Sequence, residues 1–302
     1  MIHKKKLGNI LVTGGAGFIG SNLIKHIVTN YQFSKIVSID NYYTGSKKKH
    51  IKHKKISYIK LDTRDINLTK NRLIYNFNPN YIFHFAEFSR VVPSFKYFED
   101  CYNFNTQGTL NIILYAHKKK SKLIYSGSSS KFGNVKNENL SPYSWTKSKN
   151  IEIIKNFHNW FGLDFTIVYF FNVYGENQIK NHYMSAVIGI FEEQYLSNKE
   201  LTVVKPGNQK RDFTHINDIV NGTLLAAIIG KRREYQIGSG KNYTLLEVAK
   251  MFECKIKFIK ERQGERFTSL SNYKLAKKYL GYIPRYKLEN YIKNFISKKN
   301  KK

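Results

Sequence analysis

Tyr143 and Lys147 stand four residues apart in Pro142–Phe161, a stretch whose pattern predicts a helix. At that spacing the two side chains share one helix face, about one turn apart. A free phenol keeps its proton up to a pKa of about 10, too high for a base at neutral pH. An ammonium one turn away favours the phenolate. Such a pair can take a proton from a hydroxyl while the carbon that bears it gives up hydride. A serine hydroxyl facing the phenol would share that hydrogen bond. Ser126-Gly127-Ser128-Ser129-Ser130 follows a predicted strand, Lys122–Ser126, and supplies candidates. A tyrosine four residues before a lysine is common on helix surfaces, so the weight of this pair comes from its company.

That company is Thr13-Gly14-Gly15-Ala16-Gly17-Phe18-Ile19-Gly20. It ends one predicted strand, Asn9–Thr13, and opens a predicted helix, the context that a dinucleotide-binding turn requires. Gly14 permits the tight turn, Gly17 lets a pyrophosphate approach the backbone, and Gly20 allows helix and strand to pack closely. The helix N-terminus adds free N–H groups and a partial positive charge. The spacing is G-x-x-G-x-x-G rather than G-x-G-x-x-G. Asp40 ends the next predicted strand, 20 residues after Gly20. A carboxylate there suits the ribose hydroxyls of NAD and repels the extra phosphate of NADP. Asn41 follows it, with no arginine immediately beside it. Asp62 and Thr63, after the third strand, are candidates for the adenine end.

These residues need a scaffold. Short apolar runs alternate with amphipathic stretches through the first half of the chain. Predicted strands are Asn9–Thr13, Lys35–Asp40, Ile56–Leu61, Tyr81–Phe85, Lys122–Ser126 and Phe165–Phe171. Predicted helices are Ser21–Thr29, Leu68–Asn76, Asp100–His117 and Pro142–Phe161. Alternation of this kind predicts an α/β fold with a doubly wound parallel sheet of Rossmann type. After Asn172 the rhythm changes. Helical patches (Met184–Leu196, His215–Ile229, Thr244–Phe252) alternate with short strands (Leu201–Val204, Glu234–Ile237, Ile256–Ile259). The expected organisation is a dinucleotide-binding domain over 1–172 and a smaller mixed substrate-binding part over 173–302, interleaved with the first. The tail Ser297–Lys302 is expected to fray.

Composition bounds the rest. With 302 residues and 41% hydrophobic content, the chain can bury a real core, which excludes collagen-like and wholly disordered classes. No apolar run reaches the length of a membrane span. The basic N-terminus is followed by a run too short and too broken by glycine for a signal sequence. Cys101 and Cys254 form neither a disulfide framework nor a zinc spacing, so no metal and a reducing cytoplasm are expected. Lysine and arginine number 51 against 21 acidic residues, a formal net charge of +30. The basic clusters fall in predicted turns or tails, such as Lys118–Lys120, and read as solvated surface rather than a nucleic-acid site.

Taken together, the sequence resembles the extended short-chain dehydrogenase/reductases. More narrowly it resembles the NAD-dependent sugar-nucleotide epimerase/dehydratase family, most closely its UDP-sugar 4-epimerase branch. The matching segments include Thr13–Gly20, Ile39–Asn41, Leu61–Asp65, His84–Ala86, Asn103–Gly108, Ser126–Gly133, Tyr143–Lys147, Phe170–Gly175, Arg211–His215 with Asp218, and Arg262–Glu265. The resemblance implies that Ser128, Tyr143 and Lys147 are catalytic. It implies NAD contacts from Gly14, Gly17, Phe18, Ile19, Gly20, Asp40, Asn41, Asp62, Thr63, Phe85, Ala86, Ser89, Asn105, Tyr143, Lys147 and Phe171. Asn172, Arg211, Arg262 and Glu265, with Ser128, would hold the nucleotide sugar, a UDP-hexose. Family members also pair as homodimers through helices that correspond to Asp100–His117 and Ile151–Phe161.

The sequence departs from the family in places. Dehydratases carry an Asp-Glu pair, and decarboxylases a Glu, after the hydroxyl residue. Here Ser129 and Ser130 stand there, which favours epimerisation over loss of water. The loop between Gly133 and Tyr143 is short for the family. Glu87 and Arg90 occupy positions that are often small or neutral. The alternatives are a dehydratase or reductase on the same fold, or a non-catalytic protein that binds NAD or nucleic acid.

Overall fold

The computed structural model describes residues 6–132, 140–231, 233–264 and 267–300. Six strands appear in the first 170 residues: β1 (Asn9–Thr13), β2 (Lys35–Asp40), β3 (Ile56–Lys60), β4 (Tyr81–His84), β5 (Lys122–Ser128) and β6 (Phe165–Phe170). A seventh, Glu234–Ile237, joins them at the β6 edge. The order across the sheet is Glu234–Ile237, β6, β5, β4, β1, β2, β3. All six pairings are parallel, with Thr13 level with Ile39 on one side and His84 on the other. The strand order reverses at β1. The carboxyl ends of β1 and β4 therefore open a crevice, where doubly wound sheets bind ligands.

Both faces of this sheet are covered, which is why its strands read as continuous apolar runs. Ile10 and Val12 of β1, Phe83 of β4, Ile124 of β5 and Val168 of β6 face one core. That core also takes Leu23, Ile24 and Ile27 of helix α1 (Phe18–Asn30) and Ile219, Val220 and Leu224 of helix Ile216–Ile229. The residues between them, Leu11, Ile82, Leu123, Tyr125 and Ile167, face the other core. It is closed by Ile112 and Ile113 of helix Gly108–Lys118 and Ile151 and Ile154 of helix Pro142–Phe161. Each fully buried Ile, Leu or Phe contributes about 1.5–3 kcal/mol.

A third core binds the smaller part together, with Phe191, Leu201, Val203, Phe213, Val248 and Phe252 at its centre. Its strand pairs are Leu201–Val204 with Ile256–Ile259, parallel, and Lys210–Asp212 with Asn242–Thr244, antiparallel. The strand Glu234–Ile237, which sequence rhythm assigns to the smaller part, belongs instead to the main sheet. Helix Ile216–Ile229 packs back across the sheet and returns the chain beside β6.

Other boundaries differ from expectation as well. The predicted helix Asp100–His117 is broken into Phe98–Tyr102 and Gly108–Lys118 by a wider turn at Asn103–Gln107. There Thr106 Oγ1 donates back to the Tyr102 carbonyl at 2.6 Å. The predicted helix Leu68–Asn76 shrinks to Arg72–Tyr75, started by Asn71, whose side chain accepts from Leu73 N. The last helix, Leu288–Asn300, runs through most of the tail expected to fray, anchored by Leu288 and Ile292 in the third core.

Candidate active site

A cleft of about 700 Å³ lies across the carboxyl ends of β1, β2, β4 and β5 and runs on to the smaller part. Its first end is the glycine turn. Gly14 has φ +70°, and a Cβ there would meet Ala86 N and Phe85 C at 2.9 Å, so only glycine lets the turn and the β4 loop touch. A Cβ on Gly20 would lie 2.3 Å from the Gly14 carbonyl oxygen, which fixes how closely α1 packs under the turn. Gly17 is the N-cap of α1. No side chain caps this end and no acidic residue occupies its first turn, so its backbone donors are left for an anion.

Asp40 closes this end. Its Oδ2 accepts from Ala16 N at 2.9 Å and its Oδ1 from Tyr42 N at 2.8 Å. Burial pushes the carboxyl up, and the two amides oppose that shift. Each oxygen keeps a lone pair for a hydroxyl donor. Bare amides at a helix N-terminus, a glycine floor and a carboxylate at the β2 end fit a dinucleotide's pyrophosphate and ribose.

The middle of the cleft holds the tyrosine, lysine and serine that the sequence marks as candidates. Ser141 starts helix Pro142–Phe161 by accepting from Ser144 N at 3.1 Å, and Pro142 occupies the first helical position. Tyr143 thereby falls in the first turn, its N–H donated to Ser94 Oγ. Lys147, one turn on, is buried. Its Nζ bonds Glu87 Oε2, donates to the Ser126 carbonyl at 2.7 Å and sits 4.8 Å above the Tyr125 ring. Ser128 is the last residue of β5, two residues beyond the strand end that the sequence predicts. Ser128, Tyr143 and Lys147 line the same cleft as the glycine turn.

Beneath them runs a hydrogen-bond chain. Thr13 Oγ1 accepts from Phe85 N and Ala86 N, so its own hydrogen goes to His84 Nδ1, 2.7 Å away. His84 therefore carries its proton on Nε2, which faces Thr109 Oγ1 at 2.9 Å. Thr109 donates in turn to Glu87 Oε1 at 3.0 Å. Burial pulls the His84 pKa down to about 4 and keeps the ring neutral. The floor of the cleft is thus one connected network from the glycine turn to Lys147.

The expected site residues divide. Gly14, Gly17, Phe18, Ile19, Gly20, Asp40, Asn41, Thr63, Phe85, Ala86, Ser89, Ser128, Tyr143, Lys147, Asn172, Arg211 and Arg262 all line the cleft. Three expected cofactor contacts do not. Asn105 is fully buried, its amide spent on Phe88 N, Phe88 O and Thr146 Oγ1, so it supports the cleft wall from behind. Phe171 is buried in the second core, and Phe170 takes the cleft side instead. Asp62 stands just outside the lining. Burial pushes its carboxyl up, but hydrogen bonds from Arg64 and Asn41 outweigh this and hold it below the usual range. Glu265 lies outside the described residues. Glu87, Arg90, Ser130, Lys96, Tyr97 and Tyr183 border the cleft without having been marked as site residues. Glu87, Arg90 and Ser130 stand out in the sequence as departures from the family pattern, and Glu87 also as a charge inside the apolar run Phe85–Phe88; Lys96, Tyr97 and Tyr183 carry no such signal.

The model of the NAD dependent epimerase/dehydratase family matches residues 10–238. The chain belongs to this family. Its cofactor is NAD, and the residues at the glycine-turn end fit it. A putative UDP-glucose 4-epimerase of Methanocaldococcus jannaschii is 31% identical over 95% of this chain and 97% of its own length. The UDP-glucose 4-epimerase of Thermotoga maritima, solved with UDP-glucose, superposes with a TM-score of 0.87 at 27% identity, covering 97% of this chain and 99% of that one. A UDP-N-acetylglucosamine 4-epimerase of Methanobrevibacter ruminantium M1, solved with UDP-N-acetylmuramic acid, superposes at 0.84 with 26% identity over 99% and 100%. Among the described residues, no helix is long and apolar enough to cross a membrane, and no group of three or more His, Cys, Asp or Glu could hold a metal ion.

Proposed function

We propose that the protein is a sugar-nucleotide 4-epimerase that inverts C4 of a UDP-hexose through a 4-keto intermediate. The observation that carries this reading is the makeup of the cleft's centre. Tyr143, Lys147 and Ser128 line the same cleft as the glycine turn, and the two residues after Ser128 are serines. NAD, when bound, supplies a reversible hydride acceptor. Tyr143 takes the proton of the C4 hydroxyl as C4 becomes a ketone, and returns it after the sugar has turned over. Lys147 supplies the charge that favours the phenolate and an N–H for the nicotinamide ribose. Ser128 donates to the oxygen at C4.

Loss of water would need a further acid and base at the sugar. Ser129 and Ser130 cannot provide them. Glu87, the carboxylate bordering this part of the cleft, already bonds Thr109, Tyr125, Asn150 and Lys147. Turnover of the keto sugar requires that the nucleotide be held while the hexose is loose. Arg211, Arg262 and Asn172 at the far end of the cleft suit the diphosphate, as guanidinium groups pair with phosphates in a bidentate manner. Asn172 Nδ2 donates to the Asp212 carbonyl, which fixes its side chain there.

The same reading includes a homodimer and a cytoplasmic setting. For the dimer, Tyr102, Leu110 and Leu114 are exposed on the helices that the family resemblance points to, Leu110 and Leu114 one turn apart.

The test is product analysis by NMR after incubation of the purified protein with a panel of UDP-sugars. The C4 epimer of one sugar, with no net reduced cofactor and no loss of water, is the expected result. A 4-keto-6-deoxy product would assign it to dehydration instead. No reaction with any nucleotide sugar would leave binding without catalysis.

A further inference from the structure

Glu87 carries a buried carboxylate that takes four hydrogen bonds, three of them on Oε1. Its Oε1 accepts from Tyr125 at 2.9 Å, Asn150 at 2.9 Å and Thr109 at 3.0 Å, and its Oε2 meets Lys147 Nζ. Its side chain is 2% exposed and that of Lys147 6%. The three neutral donors come from β5, from helix Gly108–Lys118 and from helix Pro142–Phe161, so Glu87 cannot shift without disturbing all three. Lys147 has three N–H groups. One goes to Glu87 and one to the Ser126 carbonyl, which leaves one for the cleft.

We propose that Glu87 is the positioning residue of the reaction: it holds Lys147 at the cleft floor and offsets its charge, so that Tyr143 acts as a base at higher pH than beside a lone lysine. The inference rests on the reading of Tyr143 as the base. Its physical ground is Coulombic. A phenol facing a bare ammonium feels a full charge, whereas one facing an ammonium with a carboxylate in contact behind it feels mainly a dipole, whose effect falls off faster with distance. Low solvent exposure lessens the screening that would blur this difference.

Other groups face the pair from every side. His84 of β4 is held neutral, with a pKa near 4. Burial raises the phenol of Tyr125 on β5 well above its ordinary value and the thiol of Cys101 to about 11. Burial lowers the pKa of Arg90 and Tyr143 opposes that shift; a guanidinium keeps its charge through the working range. None of these four groups changes charge between pH 5 and 9, so the test follows the Tyr143 ring directly as well as the rate.

The experiment compares pH–rate profiles of wild type, Glu87→Gln and Glu87→Asp on the UDP-sugar that the enzyme turns over. In parallel, the NAD-bound protein carrying ¹³Cζ-tyrosine is titrated by NMR, with Tyr143→Phe identifying the resonance. Glu87→Gln is expected to move both the acid limb and the Tyr143 midpoint down by about one pH unit. Glu87→Asp keeps the charge but is one methylene shorter, so the limb stays and kcat falls. If Glu87→Gln does not fold, Glu87→Ala, which admits water beside Lys147, is read in the same way. A folded Gln or Ala variant with limb and midpoint unmoved would show Glu87 to be structural and overturn the proposal. Turnover that persists in Tyr143→Phe would overturn the assignment of the base itself; a dead Tyr143→Phe with an unmoved midpoint in the Glu87 variant overturns the role of Glu87 alone.

Discussion

Ser130 donates its hydroxyl hydrogen to Ser128 Oγ at 2.8 Å, and its backbone N–H reaches the same oxygen at 3.1 Å. Both lone pairs of Ser128 Oγ are then occupied, and its own hydrogen is left to point away from Ser130. The second serine after Ser128, at a position where dehydratases carry a carboxyl group, thus sets the polarity of the first as a donor.

Ser128→Ala removes that donor. It should lower kcat by about 10²–10³-fold, the range for loss of a group that steadies developing charge on oxygen. Ser130→Ala leaves the backbone N–H in place, and the expected loss is about tenfold or less. Steady-state kinetics on the identified UDP-sugar check both. Equal losses would mean that the two serines act as one unit.

Tyr143→Phe removes the hydroxyl and keeps the ring. Turnover should fall by at least about 10³-fold while bound NAD and the affinity for UDP change little, because the ring's packing remains. Cofactor content and isothermal titration with UDP separate this from a folding defect.

Asp40 links the glycine turn to the loop after β2 through Ala16 N and Tyr42 N. Asp40→Ala removes the acceptors for the ribose hydroxyls and leaves those amides unsatisfied. Losing hydrogen bonds to a charged group costs about 1.5–3 kcal/mol, or roughly 10–100-fold in NAD affinity. The preference for NAD over NADP should shrink as well, since the repulsion of the extra phosphate is gone. Competition binding with the two dinucleotides checks both effects.

His84 couples stability to pH. Its folded pKa lies near 4, below the unfolded value near 6.5. The unfolded chain binds this proton first, so the contribution of neutral His84 is complete above pH 6.5 and is lost as pH falls towards 4. From pH 7.5 to pH 5 the loss is about 2 kcal/mol. His215 is lowered to about 4 in the same way, so denaturant unfolding at the two pH values should show both, and His84→Gln should remove about its own share of the difference at some cost in overall stability. An unchanged pH dependence in that variant would place the sensitivity elsewhere.

Much of this molecule is determined by local sequence. The parallel sheet follows from apolar runs long enough to be buried on both faces, and the glycine turn from a local need for positive φ and close approach. Tyr143 and Lys147 share a face because helical spacing puts them there. Local reasoning stops where a side chain's direction depends on what lies across the fold. Phe170 rather than Phe171 reaches the cleft because the chain alternates at the end of β6, and one residue of phase reverses the assignment. Asn105 is turned inward because the Phe88 backbone and Thr146 meet it there, which no spacing reveals. The strand Glu234–Ile237 enters the main sheet only because helix Ile216–Ile229 returns it beside β6. The Glu87–Lys147 pair is the clearest case. Sixty positions separate the two residues, and burial decides their contact, since a carboxylate taken out of water must find partners and the fold brings Lys147 against it.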